Sequence, residues 1–322
     1  MRFGLIGAGG MGRHQAATLT HIPNAACIAL TDIELSAPAL AFAEQVGAEV
    51  MPSAESLLAR NDIDAVIIAT PTSSHATLGI AALRHGKHVF VEKPIARSLS
   101  EAKELIAEAA QGQLKLAVGH VVRYFPEYAS AHQLIQSGNI GSPGIARAVR
   151  LTGHPRAAWY ADQAASGGVI LDVMIHDFDW MRWALGPVTR VTARGTSSTQ
   201  AGCDAAMAIL RFENGALGYV EGSWCYRSFQ TMLEVSGNAG LLRTHNGITS
   251  SSFQLSAPEQ APGQWSDGLE VGPYLAQMQD VVAYFAGGAP PRHTPEDALE
   301  ALRLALAASE SVLTGEPVFL DG

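Results

Sequence analysis

Cysteine is scarce in this chain: Cys27, Cys203 and Cys225 lie far apart in 322 residues, with no CxxC spacing. That scatter excludes a cysteine-rich zinc centre and reads as reduced, mostly structural thiols of a cytoplasmic protein. The eleven histidines include no HxxxH pair beside an acid, so no metal is expected. Positive charge is also in deficit, with 21 Lys and Arg against 30 Asp and Glu, a formal net charge of -9. Such a balance argues against nucleic acid or an anionic membrane as the main partner. The apolar run after Met1 is too short for a signal peptide or a membrane span. Low-complexity tracts and long runs of like charge are missing as well. What remains is a chain 48% apolar and 16% charged, able to bury ample core and long enough for two domains.

The first third carries a nucleotide pattern. "FGLIGAGGMG" is an apolar strand followed by Gly7-x-Gly9-x-x-Gly12, and "RHQAATLT" continues it as a helix. Glycines at this spacing permit a tight turn, approach of backbone to a pyrophosphate and close packing of helix on strand, with the positive helix end facing the phosphates. A second strand, "ACIALTD", ends in Asp32, twenty positions after Gly12, where a carboxylate accepts from ribose hydroxyls. No arginine follows in "DIELSA", so nothing there neutralises a 2′-phosphate; NAD is inferred over NADP.

Strand and helix then alternate: "DIDAVIIATP", "HATLGIAALRHG" closed by Gly86, "KHVFVEKP", "SLSEAKELIAEAAQ" opened by Ser98 or Ser100, and "KLAVGHVV". This order implies a doubly wound parallel sheet, whose ligands sit at the carboxyl ends of the strands. Those ends carry Gly7, Gly9, Gly10, Met11 and Gly12, then Asp32 and Ile33, then Thr70 and Pro71 running to His75, then Glu92 and Lys93, then "GHVVRY" with Arg123. Lys93 is clamped between Glu92 and Pro94 after the apolar "HVFV". A lysine held there can hydrogen-bond a substrate hydroxyl and favour its ionisation. The isomer of the Lys93–Pro94 peptide stays open at this stage.

"ILDVMIHDFDW", residues 170 to 180, reads as an apolar helix interrupted by three aspartates and a histidine. At roughly 100° per residue, Asp172, His176 and Asp179 fall within about 60° of one another while Asp177 points elsewhere. An ordinary wet helix face with an i, i+4 pair fits the same pattern equally well. Ahead of it, "GIARAVRLTGH" reads as a strand bringing Arg150 and His154 toward a site, although a structural role suits both at least as well. The loop "HPRAAWYADQAASGG" bears Arg156, Trp159 and Tyr160, aromatics able to stack on a sugar ring or to cover core. The runs "VTRVTARGTS", "DAAMAILRFENGALGYVEGSW" and "QTMLEVSGNAGLLRTHNG", with turns at Asn214-Gly215 and Gly237-Asn238, predict hairpins of an antiparallel sheet with one face needing cover. A second copy of the chain is the natural cover.

Three stretches carry a family resemblance: "GLIGAGGMG", "ATPTSSHATLGIAALRHGKHVFVEKPIA" and "GGVILDVMIHDFDWMRWALG", extended by "EDALEALRLALAASESVLTGEPVFL". The chain resembles the Gfo/Idh/MocA oxidoreductases along essentially its whole length. The resemblance implies an NAD-binding doubly wound domain at 1–121 and, at 122–322, an α+β domain with a large open, mainly antiparallel sheet that makes homodimer or homotetramer contacts, the closing helix packing back on both. It implies Lys93, Asp172 and His176 as the catalytic group, Glu92 and His75 beside the nicotinamide, and Asp179 on a sugar or polyol substrate. Arg123 at its strand end, with His154 and Tyr160 from the strand and loop above, is taken as a further candidate substrate contact. Two departures stand out. Inositol-type relatives often have adjacent arginines where this chain has Val122 and Arg123, and many members have glycine where it has Met174.

On this reading His176 is the general base toward a substrate hydroxyl, Asp172 orients it and Lys93 steadies the developing alkoxide. The alternatives are a dinucleotide-sensing regulatory protein of the same fold that has lost catalysis, and an oxidoreductase that keeps and recycles its NAD(P).

Overall fold

The computed structural model describes residues 1–155, 157–198, 203–246, 251–257, 260–264 and 272–320. The chain divides into two compact units, Met1–Tyr124 with Val271–Leu299, and Phe125–Glu270 with Glu300–Gly322.

The first unit is built on six strands, β1 (Arg2–Ile6), β2 (Ala26–Thr31), β3 (Glu49–Val50), β4 (Ala65–Ile68), β5 (His88–Val91) and β6 (Leu116–Val118). They pair in parallel in the order β3-β2-β1-β4-β5-β6. Every residue of β4 and all but the first of β1 and β5 are buried, which is why these strands read as unbroken apolar runs rather than alternations. Helices α1 (Gly10–Thr18), α2 (Ala37–Val46), α3 (Ala54–Leu58), α4 (His75–Arg84) and α5 (Leu99–Gln111) connect them. Ser98, not Ser100, caps α5: its hydroxyl accepts from the Glu101 N–H at 3.2 Å while the Glu101 carboxylate accepts from the Ser98 N–H at 3.0 Å. Strand order reverses between β1 and β4, so the loops after those two strands flank the crevice where such sheets bind ligands.

The second unit begins with α6 (Pro126–Gln136), β7 (Pro143–Gly153) and the short α7 (Gln163–Ser166). A π-helical turn, Ile170–Met174, then runs into α8 (Ile175–Leu185). Strands β8 (Val188–Ser198), β9 (Cys203–Phe212), β10 (Leu217–Ser223), β11 (Cys225–Gly237), β12 (Leu241–Asn246), β13 (Ser251–Ala257) and β14 (Gln260–Gln264) follow. Helix α9 (Pro273–Phe285) belongs to the first unit, α10 (Pro295–Thr314) runs from the first unit into the second, and β15 (Val318–Phe319) closes the chain.

The second sheet has nine strands in the order β14-β13-β12-β11-β7-β10-β9-β8-β15. Its pairs are antiparallel except β7 with β10, because β8 and β9 are laid outside β10 before the chain returns beside β7. The hairpin turns fall where the sequence placed them, with Gly215 at φ +89° and the Gly237 N–H bonded to the Gly240 carbonyl. Met207, Ile209 and Ile145 stand exposed on one face of this sheet. No described helix is long and apolar enough to cross a membrane.

The thiols differ from expectation. Cys27 is free, and burial pushes its thiol up to about 12. Cys225, by contrast, is disulfide-bonded. The Trp224 N–H donates to the Asp204 carbonyl at 2.8 Å, so the start of β11 lies against the start of β9, a neighbourhood that sequence separation conceals. Arg156 lies outside the described residues.

Candidate active site

Four glycines of the β1–α1 turn fall into two kinds. Gly7 has φ +93°, and a Cβ there would sit 2.7 Å from the Ala69 carbonyl; one on Gly12 would sit 1.9 Å from the Gly7 oxygen. These two are required by the fold itself. A Cβ on Gly9 or Gly10 would meet nothing within 4 Å, so glycine there keeps open the space above the turn. Helix α1 starts at that space with no side-chain cap and no acid in its first turn, leaving its first N–H groups and positive end for an anion. Beside them the Ala8 N–H donates to Asp32 Oδ2 at 2.7 Å, and Arg13 Nη1 donates to the Ala8 carbonyl at 2.6 Å. Met11 and Ile33 are exposed at the rim, Ile33 completely. A dinucleotide fits this set: backbone N–H groups for the pyrophosphate, a fixed carboxylate for ribose hydroxyls and apolar rims for a base.

The next two strand ends are tied together. His75 is buried, with Nδ1 2.7 Å from the Pro94 carbonyl and Nε2 2.9 Å from that of Thr70. Burial pulls its pKa below the ordinary imidazole value, outweighing the two carbonyls that favour the charged ring; the Lys93 charge lowers it further. Both ring nitrogens being engaged by main chain, His75 staples the Thr70–Pro71 turn to the Lys93–Pro94 turn. Ser74 supports the same turn, its hydroxyl 2.7 Å from Thr70 Oγ1 and 2.8 Å from the Pro71 carbonyl. The Lys93–Pro94 peptide is cis. Lys93 itself is half-buried, while Glu92 is buried and held by Gln15, whose Nε2 donates to Oε1 at 2.6 Å.

In the second unit, Asp172 sits within the π-helical turn and His176 in the first turn of α8, both half-buried. The expectation of uniform 100° steps therefore fails over Ile170–Met174, where the wider i→i+5 turn resets the angle between Asp172 and the residues after it. The three aspartates divide clearly. Asp177 is buried and accepts two 2.9 Å bonds from Arg150, whose Nη2 also reaches the Tyr128 hydroxyl at 3.2 Å. Arg150 is thus structural rather than a substrate contact. Asp179 is buried on α8, and Asp172 is the acid with partial exposure. Met174 is accommodated from below: a Cβ on Gly222 of β10 would lie 2.4 Å from its Cγ.

His154 is exposed and Tyr160 half-buried, and both rings meet Trp224 edge-on, with centroids at 5.1 and 5.9 Å. Trp159 stacks on Tyr160 at 3.8 Å. The Trp224 indole Nε1 is buried without a hydrogen-bond partner among the described residues. Sequence reasoning missed this residue, since a tryptophan ending a strand in "EGSWCYR" has no spacing to set it apart. Arg123 is buried, and its Nη1 donates to Asp297 Oδ2 and to the Arg292 carbonyl, each at 2.9 Å, within the first unit. Gln15 was also missed, hidden among the helical residues of "RHQAATLT".

Comparison with known proteins agrees with these features. Residues 1–120 match the model described as the oxidoreductase family, NAD-binding Rossmann fold, and residues 128–243 match the GFO/IDH/MocA C-terminal domain. The scyllo-inositol 2-dehydrogenase (NAD(+)) of Bacillus subtilis is 31% identical, over 100% of this chain and 96% of the relative. The myo-inositol 2-dehydrogenase of Thermotoga maritima is 28% identical, over 100% and 99%. The crystal structure of GenD2 from gentamicin A biosynthesis, in complex with NAD, superposes with a TM-score of 0.89 at 26% identity, over 100% of this chain and 97% of that one. The chain belongs to the Gfo/Idh/MocA family of NAD-binding oxidoreductases.

Proposed function

We propose that the protein is an NAD-dependent dehydrogenase acting on a CH–OH group of a sugar or an inositol-like polyol. The observation that carries this reading is the turn in which Gly9 and Gly10 face open space over the uncapped start of α1, with Asp32 clasped alongside by the Ala8 N–H. NAD, when bound, accepts the hydride from the substrate carbon. Asp32 favours NAD over NADP, because a carboxylate suits a 2′-hydroxyl and repels a 2′-phosphate. The relatives named as inositol dehydrogenases support the substrate class.

The chain's own residues then divide the work. His176 removes the hydroxyl proton, imidazole being the side-chain type that exchanges protons near neutral pH. Asp172, one turn earlier and partly exposed, orients the imidazole and takes a substrate hydroxyl. Lys93, on its stapled turn, stabilises negative charge on the reacting oxygen. His154, Tyr160 and the unsatisfied Trp224 N–H supply aromatic and hydrogen-bonding contacts for a hydroxylated ring. The exposed Met207, Ile209 and Ile145 belong to the face on which a second copy packs.

The test is a panel of cyclitols, hexoses and their aldonic derivatives assayed for cofactor reduction with NAD and NADP, beside calorimetric titration with each cofactor and size-exclusion chromatography with light scattering. Turnover of a polyol or sugar with NAD is the expected result. Failure to bind either dinucleotide overturns the reading.

A further inference from the structure

Gln15 is wholly buried in the middle of α1, flanked by the core residues Ala16 and Leu19. A side-chain amide there is unfavourable unless both ends are satisfied, yet only one is. Nε2 donates to Glu92 Oε1 at 2.6 Å while the Gln15 Oε1 has no hydrogen-bond partner among the described residues. An amide left half-satisfied in a core is destabilising, so packing alone does not account for glutamine at this position. The acceptor shows what it does. The Glu92 carboxylate is constrained from three directions: Gln15 from α1, the Lys93 main-chain N–H at 3.2 Å on Oε2, and Gly119 just past β6, where a Cβ would come within 2.9 Å of that oxygen. Space, a side-chain donor and a main-chain donor all converge on one carboxylate next to the lysine.

We propose that Gln15 is the positioning residue of the Glu92–Lys93 turn: its amide N–H fixes the Glu92 carboxylate and so ties the helix that opens the cofactor cradle to the lysine that faces the reacting oxygen. The role of Lys93 rests on the function proposed above; the coupling itself does not. Glu92 and Lys93 are the charged groups of the turn itself, and His75 lies within reach of the Lys93 charge. From helix α1 it is the neutral Gln15 amide that reaches Glu92.

Two variants of the full-length protein separate positioning from mere packing. Gln15→Leu removes the donor at similar volume. Gln15→Glu keeps the shape but can donate to Glu92 only when the two carboxyl groups share a proton, which a like-charged neighbour favours toward acid pH. For Gln15→Leu, kcat should fall about ten- to a hundredfold, the scale of a catalytic group displaced by about 1 Å, with the KM for NAD within about threefold of wild type. For Gln15→Glu, kcat should fall as pH rises, opposite in slope to the limb set by a histidine base. The second readout needs no turnover: the acylation rate of Lys93 by an amine-selective reagent, followed by mass spectrometry in cofactor-free protein, should change in Gln15→Leu and return toward wild type in Gln15→Glu as pH is lowered.

Wild-type kcat, pH profile and Lys93 acylation rate in both variants would overturn the proposal. So would parallel losses of melting temperature and NAD affinity with Lys93 acylation unaltered, since that pattern belongs to a packing residue. If wild type turns over nothing but the acylation differences appear, the proposed function fails and the coupling stands.

Discussion

Arg150 and Asp177 face each other across the second unit with two parallel N–H···O bonds of 2.9 Å, both side chains buried. The pair joins β7 to α8 and thereby fixes the helix that carries His176 one residue earlier. Removing one member strands a buried charge, so Asp177→Asn or Arg150→Met should destabilise the protein by about 3–5 kcal/mol. Replacing both with apolar residues should cost much less. Urea titration of the two single variants and the double variant measures the difference.

The glycine turn makes a paired prediction. Gly12→Ala places a methyl 1.9 Å from the Gly7 oxygen and should lower both melting temperature and NAD affinity. Gly10→Ala points a methyl into open space, and should leave the melting temperature near wild type while weakening NAD by tenfold or more, about 1.4 kcal/mol. Calorimetry in parallel with thermal unfolding separates the two effects.

Asp32 is held in place by Ala8, so its charge is fixed at the rim rather than free to swing aside. Asp32→Ala should weaken NAD and relieve the repulsion of a 2′-phosphate, narrowing the ratio of kcat/KM for NAD over NADP. Kinetics with both cofactors reads this directly, and a wild-type preference for NADP would contradict the role given to Asp32.

His176→Ala should reduce kcat by about 10²–10⁴, the usual contribution of a positioned base, with the NAD dissociation constant little altered. Lys93→Met should do the same. If both act on one hydroxyl, the double variant should lose less than the two single losses multiplied together. Independent, fully additive losses would argue against a shared role.

Burial holds the His75 pKa below its unfolded value of about 6.5. For a group depressed in the folded state, the unfolded chain binds the extra proton first. The stability is therefore fully present above about pH 6.5 and declines as pH falls from there toward the folded pKa, with a slope of up to about 1.4 kcal/mol per pH unit. His88, lowered chiefly by burial and then by Lys115, adds to the same trend. His75→Gln should be less stable at neutral pH, having lost the staple between Thr70 and Pro94, but should show a shallower decline in acid. Urea unfolding at several pH values between 5 and 8 checks both halves.

The nucleotide half was legible because its signals are local. Gly7, Gly9 and Gly12 are spaced by one turn, Asp32 follows at a set distance, and buried parallel strands such as Val89–Val91 write themselves as apolar runs. The second unit was read less completely. Spacing separated Asp177 from Asp172 and His176, but it neither identified Arg150 as the partner nor revealed the π-helical turn that carries Asp172. Nor did spacing reveal that Arg123 meets Asp297, 174 positions away, or that the carbonyls of Thr70 and Pro94 engage both ring nitrogens of His75.

Taken by itself, the amino-acid order determined the doubly wound fold of the first unit, the hairpins of the second and the glycines of the cofactor turn, because each depends on backbone preference and periodicity over a few neighbouring positions; the family followed from the resemblance of its motifs. Only the tertiary structure decided which buried polar groups are consumed by partners, that β7 and β10 run parallel, that Gly222 makes room for Met174, and that Gln15 reaches Glu92. Those outcomes depend on which chain segments become neighbours after folding, and pairings across 77 or 174 positions leave no periodic trace in the residues between them.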